Sequence, residues 1–122
     1  MSGLSWLRRL GPYQIETRAM GDWRVLEVRG KFAAGNPERR FLDEVDSLLL
    51  SGARRVVVDF SLSRMADDAV ATAASKAYHK ARAAGTDLRF VVLPGKAGGY
   101  YHMAGLEMHI PTFGTLSEAM DG

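Results

Sequence analysis

Apolar positions along the chain recur at a spacing of two, then at about 3.6, and then alternate between these regimes. Tyr13, Ile15 and Thr17 alternate with Gln14, Glu16 and Arg18. That period of two predicts a half-buried strand over 13–18. Residues 23–29 read as a second strand. The short Ala19-Met20-Gly21-Asp22 segment between them predicts a hairpin turn, so the sheet opens antiparallel. Asn36-Pro37 then marks a helix start, with Asn36 as the N-cap and Pro37 at the first helical position. From 37 to about 50, Phe41, Leu42, Val45, Leu48 and Leu49 fall on one face. Gly52 is the expected left-handed cap after Ser51. Residues 56–60, Val-Val-Val-Asp-Phe, are apolar without alternation, which fits a central strand covered on both faces. A loop over 61–66 leads to a second helix, capped by Asp67, with Asp68 in its first turn. Val70, Ala73, Ala74, Ala77, Ala81 and Ala84 form a flat stripe that lets this helix approach a sheet closely, and Gly85 ends it. Residues 88–93 predict another buried strand, stopped by Pro94-Gly95. The 96–104 stretch has helical spacing, but Gly98 and Gly99 each cost about 1 kcal/mol in a helix interior, so the helix there is short or late. A brief final strand is expected within 105–111. Thr115-Leu116-Ser117-Glu118 is a capping box for a short terminal helix.

The element order is therefore β-β-α-β-α-β-α-(β)-α. Two helical crossovers after a hairpin require right-handed, parallel connections. The expected fold class is α/β, with a mixed four- to five-stranded sheet and helices mainly on one side. Residues 1–11 read as a separate leader, and 12–122 as one domain. In the leader, Leu4, Trp6 and Leu7 can share a helical face opposite Arg8 and Arg9. So short a segment buries too little to hold a bilayer alone. It reads as a tail, or as a segment docked on the domain or a partner.

Composition narrows the chemistry. The 122 residues contain no cysteine, which excludes disulfides, zinc-thiolate sites, iron–sulfur clusters and thiol catalysis. Sixteen basic and fourteen acidic residues leave a formal charge of +2, a weak footprint for a nucleic-acid binder. No apolar run reaches the roughly 18 residues of a membrane span, and no signal-peptide pattern is present. A cytoplasmic domain without direct membrane insertion is the expectation. Gly30–Gly35 has the glycine spacing of a phosphate loop, but Asn36-Pro37 stands where Lys and Ser/Thr are required. Pro94-Gly95-Lys96-Ala97-Gly98-Gly99 lacks the dinucleotide pattern and reads as a turn. His79, His102 and His109 do not share a helical ligand spacing, although His102 and His109 flank a Gly-Leu-Glu turn where they could meet. No nucleophile elbow occurs. No enzyme, cofactor or metal site is expected. The Arg8-Arg9, Arg39-Arg40 and Arg54-Arg55 doublets lack interleaved aromatics and read as solvated surface.

Several segments carry a resemblance. Val25–Asn36, VLEVRGKFAAGN, is similar to a strand followed by a Gly-x-Leu-(Asp)-x-x-Asn turn. Ser51–Phe60, SGARRVVVDF, is similar to a Gly–Ala–basic segment entering an apolar strand that ends in Asp-Leu. Gly105–Phe113, GLEMHIPTF, and Thr115–Met120 resemble closing Gly-Leu…Pro-x-Phe and Ser-Leu-Glu-Glu-Ala elements. In order and spacing, over roughly residues 13–120, the chain resembles a STAS domain, the family of sulphate transporters and anti-sigma factor antagonists. The resemblance implies a functional centre in the loop after the central strand. There the family reads Asp-Leu-Ser-Gly-Val, three residues, then Asp-Ser-Ser-Gly-Leu. The first serine of the second motif is phosphorylated by a partner kinase that is also an anti-sigma factor or switch protein, and phosphate at the helix start blocks binding.

The matching segment here is Asp59-Phe60-Ser61-Leu62-Ser63-Arg64-Met65-Ala66-Asp67-Asp68-Ala69-Val70. Asp59 and Asp67 keep the family's acids. Asp68 stands at the phosphorylatable serine, Ala69 at the second serine and Val70 at the glycine. A carboxylate carries about −1 charge against roughly −1.5 to −2 for phosphoserine, so Asp68 would be a permanent, imperfect phosphomimetic. Val70 would add bulk where a partner approaches. The resemblance thus implies a non-enzymatic regulatory module of bacterial partner switching. Its protein partner would be an anti-sigma factor or switch kinase, contacted through Asp67, Asp68, Ala69, Asp59, Ser61, Ser63, Arg64 and Thr72. Phosphorylation could instead have moved to Ser61, Ser63, Thr72 or Ser75. The competing expectation is a STAS subunit of a membrane transporter or of a larger sensory assembly, with the leader as docking segment. A homodimer is compatible with either.

Overall fold

The computed structural model describes residues 12–122. The leader readings fall on residues 1–11 and lie outside the described residues. Eight residues of alternating pattern form strand β1 (Tyr13–Met20), which turns through Gly21 into β2 (Trp23–Phe32). Tyr13 pairs with Gly30 and Met20 with Trp23, so the hairpin is antiparallel and in register throughout. Helix α1 (Asn36–Leu50) follows, then β3 (Arg55–Met65), α2 (Ala69–Ala83) and β4 (Asp87–Val91). A 3-10 turn at Gly95–Gly98 leads into the short helix α3 (Gly99–Met103). A second 3-10 turn at Leu106–Met108 precedes the two-residue β5 (Thr112–Phe113) and helix α4 (Leu116–Ala119). The sheet order is β1-β2-β3-β4-β5, antiparallel at β1–β2 and parallel at the other three junctions.

Strand alternation divides the side chains between two faces. Ile15, Leu26, Val28, Val56, Val58, Phe60, Leu88 and Phe90 join α1, α2 and Tyr101 in the main core. The Phe32 ring meets those of Phe41 and Phe60 edge-on, at 5.7 and 5.4 Å. On α2, Val70, Ala73, Ala74, Ala77 and Ala81 are fully buried and form the surface that meets the sheet, whereas Ala84, expected in the same stripe, is exposed at the C-cap where the helix has already ended. Trp23, Val57, Val91 and Ala119 form a separate, smaller core on the other face, flanked by Phe113, Leu116 and Met120. Helix α4 therefore covers part of the face that α1 and α2 leave open.

Three local expectations are corrected. The segment expected as a loop over 61–66 is strand through Met65. It pairs with Arg29–Phe32 of a β2 that is itself longer than the predicted 23–29. Backbone pairing between the two extensions overrides their serine- and glycine-rich composition. The final strand is not within 105–111. Those residues form the Leu106–Met108 turn, and β5 begins after Pro111, whose carbonyl accepts from the Phe90 N–H at 2.9 Å. Asn36 is not the cap of α1 but its first residue, with Gly35 (φ +97°) in the cap position. The Asn36 side-chain oxygen instead accepts from Arg39. By contrast, Thr115 caps α4, accepting from the Glu118 N–H at 3.1 Å.

Candidate functional site

The parallel strands β2, β3 and β4 all end at one pole of the sheet, and the start of α2 lies there. Between Glu27–Asp59 and Arg29–Leu62 the register advances by two residues in β2 and three in β3, so β3 carries an extra residue. The Asp59 carboxylate accepts the Ser61 N–H at 2.8 Å at this irregularity. Asp59 is nearly buried and alternates with Val58 and Phe60, so it stands on the face opposite α2. Its role is to satisfy the backbone of the bulge.

After the bulge, Leu62 and Arg64 are exposed, while the Ser63 Oγ is enclosed and has no hydrogen-bond partner among the described residues. The last rung is the Ala66 N–H to the Phe32 carbonyl at 2.8 Å. Asp67 then uses both carboxylate oxygens. One accepts the Ala69 N–H at 2.9 Å, and the other accepts the Ala34 N–H at 3.2 Å from the β2–α1 connection. A single side chain thus ties the first N–H of α2 to the loop beside it, satisfying two donors that the helix and strand leave over.

Asp68 occupies the N-cap position itself but makes no side-chain cap bond and is exposed. Its carbonyl accepts the Ala71 N–H at 3.0 Å, so its backbone is committed, while its carboxylate has no hydrogen bond among the described residues. Ala69 and Val70 are buried, and Val70 belongs to the main core. The expected obstruction by Val70 is therefore corrected: its bulk points inward. Thr72 is exposed one turn along the helix. Asp67, Asp68, Arg64 and Thr72 are thus at or near one pole, whereas Asp59 and Ser63 face elsewhere or inward.

Beside α2 runs an open groove lined by Thr72, Ser75, Lys76, His79 and Leu106. The helical spacing of Thr72, Lys76 and His79 places them on one side of α2, a signal that the sequence carried without marking it as a surface. His102 does not meet His109. Its ring nitrogens lie 3.1 Å from Glu107 and 2.9 Å from the Leu93 carbonyl, which clasps the connection around α3. The Glu107 carboxyl lies below its ordinary range, mainly through backbone hydrogen bonding and then through His102. No cluster of three metal-ligating side chains occurs among the described residues. No helix among them is long and apolar enough to cross a membrane.

No family model and no curated protein matches the sequence. Solved structures do. An anti-sigma factor antagonist from Mycobacterium paratuberculosis superposes with a TM-score of 0.76 at 17% identity, covering 88% of this chain and 91% of that one. A glutamate-for-serine variant of RsbS from Moorella thermoacetica gives 0.73 at 14% identity, covering 88% and 92%. The phosphorylated form of the Bacillus cell fate determinant SpoIIAA gives 0.63 at 14% identity, covering 89% and 96%. The chain has the fold of the STAS domains of anti-sigma factor antagonists, in agreement with the resemblance carried by its segments.

Proposed function

We propose that the chain is a non-enzymatic regulatory module that binds a protein partner through the pole around Asp67 and Asp68. The observation that carries this reading is a division of labour between two adjacent acids. Asp67 caps α2 with one oxygen and holds the Ala34 N–H with the other, so Asp68 is not required for the cap and presents a carboxylate with no partner among the described residues at the positive end of the α2 dipole. Fixed negative charge at that position is the charge a phosphoserine would bring there, reduced to about one unit. In this reading Asp68 holds the surface permanently in a charged state, and the partner is an anti-sigma factor or switch kinase of the bacterial partner-switching kind. The cytoplasm is where such a partner would meet it. Thr72, exposed on the same helix, extends the contact. Arg64 flanks it from the end of β3.

Affinity purification of the tagged chain from its native cell, with wild type and Asp68→Ser in parallel, tests this. The expected result is recovery of a histidine-kinase-like ATPase or anti-sigma factor whose yield changes with Asp68→Ser. Calorimetry on the purified pair should give an affinity change of about tenfold, or about 1.4 kcal/mol. Recovery of a transporter ATPase subunit, or an affinity indifferent to Asp68, would sink the reading.

A further inference from the structure

Strand β1 is one edge of the sheet, with β2 as its neighbour, and the other edge is the two-residue β5. Sheet edges are commonly blunted by short length, proline or a bulge. β1 has none of these: it runs eight residues, holds no proline and pairs with β2 without a slip. The Lys31 N–H donates to the Pro12 carbonyl at 2.7 Å, which sets the phase of the ladder. Hydrogen-bonded and open pairs alternate from there, so Gln14, Glu16, Arg18 and Met20 bond to β2. The backbone groups of Tyr13, Ile15, Thr17 and Ala19 therefore point outward. The Arg40 guanidinium reaches the Ile15 carbonyl at 3.4 Å from that side. No other hydrogen bond reaches these outward groups among the described residues. Residues 16–19 are all exposed.

The charges on this edge lack counter-charges in the chain. Glu27 and Arg29, two apart on β2, close into an ion pair at 2.8 Å, and Asp87 and Arg89 on β4 do so at 3.1 Å. Glu16 and Arg18 have the same spacing on β1, on the face opposite α1 and α2, yet no ion pair among the described residues involves either. Across the ladder Glu16 faces Glu27, which Arg29 already holds, and Arg18 faces Val25. Like charges directly opposite each other are unfavourable, so the β1–β2 pairing offers Glu16 nothing.

We propose that β1 pairs antiparallel with the same strand of a second copy, about a two-fold axis through Thr17, joining the two sheets into one. The outward groups of Thr17 bond those of the partner's Thr17, and the outward groups of Ile15 bond those of the partner's Ala19. Glu16 then stands opposite the partner's Arg18, and Arg18 opposite the partner's Glu16. Both fall in open pairs, where side chains approach most closely. An axis through Glu16 or through Arg18 instead sets that residue against its own copy, like charge on like charge. Thr17 also lies near the middle of β1, so this register keeps most of the strand paired. Arg40 gives up its long contact with the Ile15 carbonyl to the N–H of the partner's Ala19. The pairing does not depend on what binds the α2 pole. Its symmetry places the two α2 starts at opposite ends of the joined sheet, both open.

Sedimentation velocity of the full chain, from micromolar to near-millimolar concentration, tests this. Wild type is expected to pass from monomer to dimer. Glu16→Arg and Arg18→Glu each make both cross-strand pairs repulsive and should weaken the dimer about tenfold or more. An equimolar mixture of the two variants restores opposite charges at each pair, as does Glu16→Arg with Arg18→Glu in one chain. Both should dimerise as wild type does. Thr17→Pro removes the central outward donor without costing β1 a bond to β2, and should leave a folded monomer. Thermal melts of each variant separate lost pairing from lost folding. A wild type that stays monomeric across the range overturns the assignment. So do charge reversals that leave dimerisation unchanged, because the contact then lies on another surface.

Discussion

At the residue scale, the α2 start shows how two chemically identical side chains divide structural and surface roles. Asp67 satisfies N–H groups from two segments, so Asp67→Ala removes a cap and a tether together. The expected loss is about 1–2 kcal/mol in urea unfolding, with Asp67→Asn retaining part of it. Asp68→Ala should change stability by less than about 1 kcal/mol, because only its interaction with the helix dipole is lost. Equal losses at the two positions would contradict the division. Gly30 is a second such point. Its φ is +79°, and a Cβ there would lie 2.4 Å from the Pro12 carbonyl oxygen. That oxygen accepts the Lys31 N–H at 2.7 Å and so cannot simply move aside. Gly30→Ala should therefore cost more than about 1 kcal/mol in the same measurement. Tyr101 gives a pH signature. Burial is the main cause that pushes its hydroxyl up to about 12, above the ordinary 10, while the 2.6 Å hydrogen bond to Thr112 acts the other way. With the folded value raised, its contribution to stability is complete below pH 10 and falls away as pH rises from 10 through about 12. Tyr101→Phe should cost about 1 kcal/mol near neutral pH, and the deficit relative to wild type should shrink above pH 10 in paired unfolding curves.

At the element scale, legibility followed burial. The run Val56-Val57-Val58 is fully apolar because both faces of β3 are covered there, and it reads as a central strand without ambiguity. The alanine stripe of α2 was equally readable, since only a close approach to a sheet explains it. Residues 61–65 were not. Their burial alternates, but the less exposed positions include Ser61 and Ser63, so no apolar alternation shows in the sequence, and the segment is held by pairing to Arg29–Phe32. The capping roles at α2 were half legible. The pattern marks Asp67 as the N-cap and Asp68 as a first-turn acid, whereas Asp68 holds the N-cap position and Asp67, one residue earlier, accepts the Ala69 N–H; its second bond, to Ala34, joins residues 33 apart and has no local signature. The stripe reading already turns Val70 toward the sheet, and burial bears it out; only the family resemblance turns it toward a partner. A helix start seen as a partner surface hides the fact that its second residue already faces the core.

At the scale of the whole molecule, the two faces of the sheet are closed unequally. The main core draws on both long helices, while the second depends on Leu116 and Ala119 of α4, on Met120 just after it and on the strands beneath. Arg89 fastens α4 by donating to the Ala119 and Asp121 carbonyls, and Thr115 fixes its other end. Truncation after Gly114 would remove the cap, the helix and its cover over Trp23, Val57 and Val91 while leaving every residue of the main core in place. Each fully buried side chain of this kind is worth about 1.5–3 kcal/mol, and these three would be only partly uncovered, so the expected loss is roughly 2–4 kcal/mol. The truncated chain should remain folded, with a lower melting temperature, red-shifted Trp23 emission in the Trp6→Phe background, and new binding of a hydrophobic dye. Amide exchange in α2 should be slow in both proteins if the main core folds without its smaller neighbour. Collapse of that protection on truncation would instead mean that both faces form one cooperative unit, so that an event at either pole is felt across the whole sheet.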